Sequence, residues 1–181
     1  MAMNRKKVIV RRFTSGYLSG YLPSSGLLAD SAPGTLDILD LQANVQAVPL
    51  GDVKYVAYVR DFSTTDSDQP ERLLRKVFTG RPRSEGLWLR LTLRDDDQME
   101  GLAALDLAFV DGWIADGGVH LTPADIRGNT QRIFVPRGSI SALEILAVVT
   151  TPTRKLPSQR ASQAEQQPDL FSFPVPDSRP N

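Results

Sequence analysis

Val48-Pro49-Leu50-Gly51-Asp52-Val53-Lys54-Tyr55-Val56 and Val135-Pro136-Arg137-Gly138-Ser139-Ile140-Ser141-Ala142-Leu143 are two versions of one pattern. Valine, proline and glycine recur in register, followed by β-branched Val53 against Ile140 and then Val56 against Leu143. Proline fixes φ and has no N–H to donate, so it fits where a short strand gives way to a turn. Upstream, each copy opens on a hairpin. Val8-Ile9-Val10-Arg11-Arg12 turns at Ser15-Gly16 into Tyr17-Leu18-Ser19-Gly20-Tyr21, and Trp88-Leu89-Arg90-Leu91-Thr92-Leu93 turns at Asp95-Asp96-Asp97 into Gln98-Met99-Glu100-Gly101-Leu102. Apolar residues alternate in both, as in half-buried strands. Gly20 and Gly101 lie inside the returning strands, where glycine marks a bulge or sharp bend. Repeated hairpins, each followed by Val-Pro-x-Gly, imply a mainly β protein made of two related small β-barrel units, 1–62 and 87–150.

Between them, 63–86 reads as a linker with a short helix. Pro70 suits the first position of a helix, 71–78 could supply two turns, and Gly80 and Pro82 would stop it. Residues 150–181 hold six prolines and four glutamines with few apolar side chains, so 151–181 is expected to be a disordered tail.

Composition narrows the function classes. No apolar run approaches the roughly 18 residues that span a membrane, so no membrane partner is expected. The basic N-terminus lacks the long apolar stretch and cleavage site of a secretory signal. The chain has no cysteine, which rules out disulfides and thiolate chemistry and agrees with a cytoplasmic location. Net charge is zero, yet basic residues cluster: Arg5, Lys6, Lys7, Arg11 and Arg12 near the start, then Arg72, Arg75, Lys76, Arg81, Arg83, Arg90 and Arg94, with Arg137 in the second repeat. Such clusters can meet phosphate or simply lie in water.

Catalytic patterns are lacking. Ser19 in Gly16-Tyr17-Leu18-Ser19-Gly20 does not have nucleophile-elbow spacing. The single histidine, His120, falls in an expected strand and reads as packing or as an exposed side chain. Asp95-Asp96-Asp97 lacks the alternate spacing of a calcium loop and reads as acids holding a turn in water. No phosphate-binding glycine loop or metal-ligand spacing occurs. Trp88 and Trp113 read as strand residues packing a core or an edge. The expectation is a protein that is not an enzyme and has no cofactor, metal or catalytic residue.

The second repeat resembles the Sm-like, SH3-type small barrel. The likeness rests on Gly101 in strand two, Asp106 a few residues later, and Arg137-Gly138 before an apolar strand. In that family the Arg-Gly region lies in a loop holding single-stranded RNA; here Ser139 replaces a frequent acid or amide, and the usual asparagine after the aspartate is missing. Thr130-Gln131-Arg132-Ile133-Phe134-Val135-Pro136 also resembles an uncharacterised bacterial domain family. Asp61-Phe62-Ser63-Thr64-Thr65-Asp66 is similar to half of the signature of PilZ barrels, which bind cyclic di-GMP, although Asp66 replaces a glycine and the preceding arginine pair is missing. In the tail, Gln167-Pro168-Asp169-Leu170-Phe171 resembles the peptide by which bacterial replication and repair proteins dock on the sliding clamp, with Pro168 where leucine is frequent. Leu170 and Phe171 would fill an apolar pocket, with Gln167 and Asp169 as polar contacts beside it. The first functional expectation is therefore an adaptor docking on the sliding clamp. The alternatives are a nucleic-acid-binding Sm-like module and a PilZ-like regulator responding to cyclic di-GMP. Oligomeric state is left open.

Overall fold

A computed structural model of the chain describes residues 5–14, 16–23, 26–27, 34–62, 77–115, 117–125 and 128–150. The first half contributes β1 (Lys7–Arg12), β2 (Tyr17–Tyr21), β3 (Thr35–Asp40), β4 (Val45–Pro49) and β5 (Val53–Val59). The second contributes β6 (Gly86–Leu93), β7 (Gln98–Ala103), helix α1 (Leu107–Ala115), β8 (Gly118–Pro123), β9 (Thr130–Pro136), a 3₁₀ turn at Arg137–Ser139, and β10 (Ile140–Val149). All ten strands join one antiparallel sheet in the order β10-β6-β7-β8-β9-β5-β1-β2-β3-β4. The protein is mainly β, as expected. The sheet is open rather than closed into barrels, and among the described residues its two edges are β4 and β10.

Each half nevertheless repeats one arrangement. β5-β1-β2-β3-β4 in the first half matches β10-β6-β7-β8-β9 in the second. Pairing registers agree in detail: Val48 faces Leu36 and Pro49 faces Thr35, while Val135 faces Val119 and Pro136 faces Gly118. After each proline a tight turn closes, with Val53 N–H donating to Leu50 O and Ile140 N–H to Arg137 O. Each last strand then carries a bulge at a matching residue, Lys54 in β5 and Ser141 in β10.

The two glycines singled out from sequence sit at equivalent corners. Gly20 faces Asp40 across β2–β3, and Gly101 faces Pro123 across β7–β8. Both pairings run for only two residues before the strands part. A Cβ on Gly20 would lie 2.4 Å from Leu39 O, and one on Gly101 would lie 2.8 Å from Leu121 Cβ. Only a residue without a side chain lets the third strand cross this closely.

Two apolar clusters lie on opposite faces of the central strands. One gathers Leu89, Leu91, Leu93, Met99, Val119, Leu121, Ile133 and Val135, together with Ile9, Tyr55, Ala57 and Val59 from the first half. The other gathers Val8, Val10, Leu36, Ile38, Val48, Val53 and Val56, together with Phe134 from the second half. Successive side chains on a strand point to opposite faces. β1, β5 and β9 therefore feed both clusters at once through the apolar stretches at residues 8–10, 55–59 and 133–135.

The β6–β7 turn has a role that composition did not reveal. Asp95 and Asp97 both accept hydrogen bonds from the Lys54 ammonium, which the β5 bulge turns into a buried position. Arg94 stacks its guanidinium over Phe13 at 4.3 Å and donates to Gly51 O at 2.7 Å, and buried Ser139 donates to Val53 O. The acids do not merely hold a turn in water: they pin the second half's hairpin to the first half. Removing both would leave a buried ammonium unpaired, the costly way to break such a contact.

Trp113 also departs from expectation. It lies on α1, where it and Phe109, four residues apart, pack on the first cluster. Asp106, part of the Sm-like resemblance, precedes this helix, and its carbonyl accepts the N–H of Phe109. The helix expected over 71–78 lies outside the described residues except for Val77 and Phe78, as does the tail 151–181. Among the described residues no helix is long and apolar enough to cross a membrane.

Replacing Gly20 or Gly101 with valine is expected to lower stability by about 1–3 kcal/mol through overpacking, with Gly20→Val the worse because its obstacle is backbone. Thermal denaturation of the two variants measures this; unchanged melting in both would contradict the crossing geometry.

Candidate functional site

Three adjacent strands carry a basic cleft among the described residues. In β1, β5 and β9, Val8 faces Tyr58, which in turn faces Arg132. Tyr58 and Arg132 share a face with Val56 and Phe134, so the apolar surface of the second cluster runs on into a polar end. There Arg5, Lys6, Lys7, Tyr58, Val59, Arg60, Gln131 and Arg132 line a cleft of about 780 Å³. That volume falls within the range of small-molecule sites.

Local structure holds the cleft in shape. Arg60 N–H donates to Asn129 O at 3.0 Å, and Asp61 N–H donates to Asn129 Oδ1 at 2.9 Å. Asn129 Nδ2 in turn donates to Asp61 O at 2.8 Å. One amide side chain thus straps the end of β5 to the start of β9 and places Arg60 beside Arg132. Lys6 Nζ lies 6.0 Å from the centre of the Tyr58 ring. Lys7 Nζ reaches Asp61 Oδ1 at 3.4 Å and stands 5.6 Å from the Phe62 ring centre.

Five cations line the cleft and no acid does. Among the described residues no ion pair neutralises Arg5, Lys6, Arg60 or Arg132. Like charges gathered in a concave surface raise the local positive potential even on a chain of zero net charge. Guanidinium groups offer paired donors shaped for phosphate or carboxylate oxygens. The donor set suits an anion. Among the described residues no group of three or more metal-ligating side chains forms.

A smaller hollow of about 380 Å³ adjoins on Arg132, which lines both; Phe109, His120 and Thr122 are among its other walls. His120 sits in β8 with its ring centre 5.0 Å from that of Phe134 and 6.3 Å from that of Tyr58. A side chain at Gly112 would crowd it, since a Cβ there would be 3.3 Å from His120 Cδ2.

Of the basic residues singled out from sequence, Arg5, Lys6 and Lys7 line the cleft and the other described ones lie elsewhere. Arg11 stacks over Tyr17 at 5.0 Å and donates to Gly16 O at 3.2 Å. Arg12 follows it at the far end of β1, Arg81 and Arg83 are exposed ahead of β6, and Arg137 is exposed on the 3₁₀ turn. Arg11, Arg12, Arg81, Arg83 and Arg137 do not line the cleft. Arg72, Arg75, Gln167, Asp169, Leu170 and Phe171 lie outside the described residues. Sequence reading missed Arg60 and Arg132 because neither has another cation beside it: Arg60 precedes Asp61, and Arg132 stands between Gln131 and Ile133. Only the β5–β9 pairing brings them together with the N-terminal cluster.

A family model matches residues 4–147, spanning every described strand except the last two residues of β10. The chain belongs to DUF6982, a family of unknown function. No curated protein and no solved structure matches. The family match covers both halves together, and with them all five cleft cations.

Anions that enter the cleft should stabilise the folded chain by mass action. At about ten times its dissociation constant, pyrophosphate should add roughly 1.4 kcal/mol, or about 3–6 °C in melting temperature for a body of this size. The Arg60→Ser/Arg132→Ser variant should lose most of that shift. An equal shift in both proteins would place the anion elsewhere.

Proposed function

We propose that this protein is a non-enzymatic binding module that grips the phosphates of a single-stranded nucleic acid in the cleft of Arg5, Lys6, Lys7, Arg60 and Arg132. The single observation behind the reading is that these five cations share one cleft with no acid in its lining. Half-buried Tyr58 adds an aromatic ring under Lys6, and base stacking on such rings is tolerant of sequence. The finer fold reading, two Sm/SH3-type units in tandem, belongs with this proposal. Its support is the shared strand order of the halves and the matched Val-Pro turns and bulges.

The sequence favours a second activity in the same chain. Gln167-Pro168-Asp169-Leu170-Phe171 places two adjacent apolar side chains in a polar, proline-rich stretch, which suits a peptide that docks on a sliding clamp. The adaptor reading then joins the two: the tail would recruit the protein to the clamp while the body holds a strand nearby. A Leu170→Ala/Phe171→Ala variant separates them, since it should abolish clamp capture and leave strand binding intact.

Fluorescence anisotropy with single-stranded RNA and DNA oligonucleotides tests the primary reading. Binding should weaken with salt, with a log–log slope of roughly −2 to −3 for three to four phosphate contacts on a single strand. Arg60→Ser/Arg132→Ser should reduce the slope by about one or more and weaken binding to all sequences alike. Absence of binding at low salt would overturn it.

A further inference from the structure

We propose that copies of this chain assemble head to tail by pairing the β4 edge of one copy with the β10 edge of the next. The warrant is a junction already present inside the chain. The fourth strand of the second half, β9, pairs with the last strand of the first half, β5. Repetition of the strand order leaves the same two kinds of strand unpartnered among the described residues: β4, a fourth strand, and β10, a last strand. A second copy can therefore reproduce between molecules the joint that each molecule contains.

The register carries over residue by residue. The internal junction sets Val56 opposite Phe134, Ala57 opposite Ile133 and Tyr58 opposite Arg132. Shifting both strands by the offset that takes Val48 to Val135 sets Leu143 opposite Ala47, Glu144 opposite Gln46, and Ile145 opposite Val45 of the neighbouring copy. Leu143 and Ile145 face Leu91 and Leu89, which belong to the first apolar cluster, so they share its face. Val45, Ala47, Leu143 and Ile145 are all exposed, with Val45 at 69% and Ile145 at 58%. Pairing would put these four apolar side chains together on the buried face and Glu144 beside Gln46 on the other.

Neither edge carries a lysine, although β4 is short and ends on Pro49 and β10 is bulged. An exposed strand normally carries lysines, prolines or inward charges that discourage pairing. β10 runs ten residues with Glu144 as its one charge, and β4 has none. Of the two bulges in β10, the one at Ser141 has its match in β5, which pairs with β9 beyond it, and the one at Leu146 lies just past the three paired positions. The β3–β4 turn holds the other edge in place. The Asp40 carboxylate accepts the N–H groups of Gln42 and Asn44 and the side-chain amide of Gln46, and these bonds hold its pKa below the usual carboxylate value. A contact between unlike edges is heterologous, so it generates a ring where the rotation closes and a filament where it does not.

The test uses the whole chain. Light scattering behind size exclusion should give masses above the 19.9 kDa monomer that rise in whole-chain multiples. Ile145→Glu spoils one edge and Val45→Glu the other, so each variant alone should be monomeric with an unchanged fold by circular dichroism. Mixed, they should form a one-to-one dimer, because each retains the edge the other has lost. Wild-type protein that stays monomeric, as it would if residues 152–181 covered β10, overturns the proposal. A symmetric β10–β10 dimer, in which Val45→Glu remains dimeric and mixing yields no new species, overturns it too. A second readout does not depend on those variants. The chain has no native cysteine, and facing residues in antiparallel strands hold their Cβ atoms within reach of a disulfide. Val45→Cys/Ile145→Cys should cross-link into a ladder of chain multiples on oxidation, and Val45→Cys/Ser141→Cys should not. Equal cross-linking of the two pairs would refute the register.

Discussion

The pairing of β5 with β9 is the constraint on which the rest of the structure depends. It sets Val56 opposite Phe134 and so drives a fully buried aromatic ring from the second half into the apolar cluster of the first. In the opposite direction, Tyr55, Ala57 and Val59 complete the cluster of the second half. Burying a side chain such as Phe134 contributes about 2–3 kcal/mol, and here the contribution accrues only if both halves are folded. Lys54 with Asp95 and Asp97, Ser139 with Val53, and Arg94 with Gly51 fasten the same two halves at another point. The joint is therefore apolar along the strands and polar at the turn.

The cleft follows from that joint. The three strands that feed both clusters continue past the apolar residues, and their ends bring cations from three separate stretches of sequence onto one surface. Gathering five positive charges costs Coulomb energy that Asp61 offsets only at Lys7, and the strap of Asn129 on Asp61 ties the end of β5 to the start of β9. An arrangement of this kind makes physical sense where an anionic partner supplies the missing charge. The same reasoning links the site to the repeat. The junction that builds the cleft inside the chain has its counterpart in β4 and β10, the edges of the sheet among the described residues, where Val45 and Ile145 stand exposed.

Much of this architecture is legible in the amino-acid sequence. The Val-Pro-x-Gly turns, both hairpins, and the bends at Gly20 and Gly101 all follow from local chemistry, which short-range sequence patterns report well. Three features are not legible there, each because it depends on partners far apart along the chain. Leu107–Ala115 is apolar on nearly every side, so its run reads as a buried strand until Phe109 and Trp113 are seen packing as a helix. Asp95 and Asp97 look like ordinary turn acids until the β5 bulge brings Lys54 to them. Arg60 and Arg132 are solitary cations in sequence, whereas Arg11 and Arg12 form a visible pair that the fold carries to the other end of β1.

The claim that one joint unites two repeated halves into a single cooperative body is tested most directly by native-state hydrogen exchange on the full chain. Amides of β1, β5 and β9 should exchange only through global unfolding, with β3 and β7 losing protection in the same transition as denaturant is raised. The contradicting result is stepwise loss: amides of β1–β5 exchanging at a denaturant concentration where β6–β10 stay protected, or the reverse. Two such transitions would mean that β5 and β9 merely touch, and that each half stands on its own core.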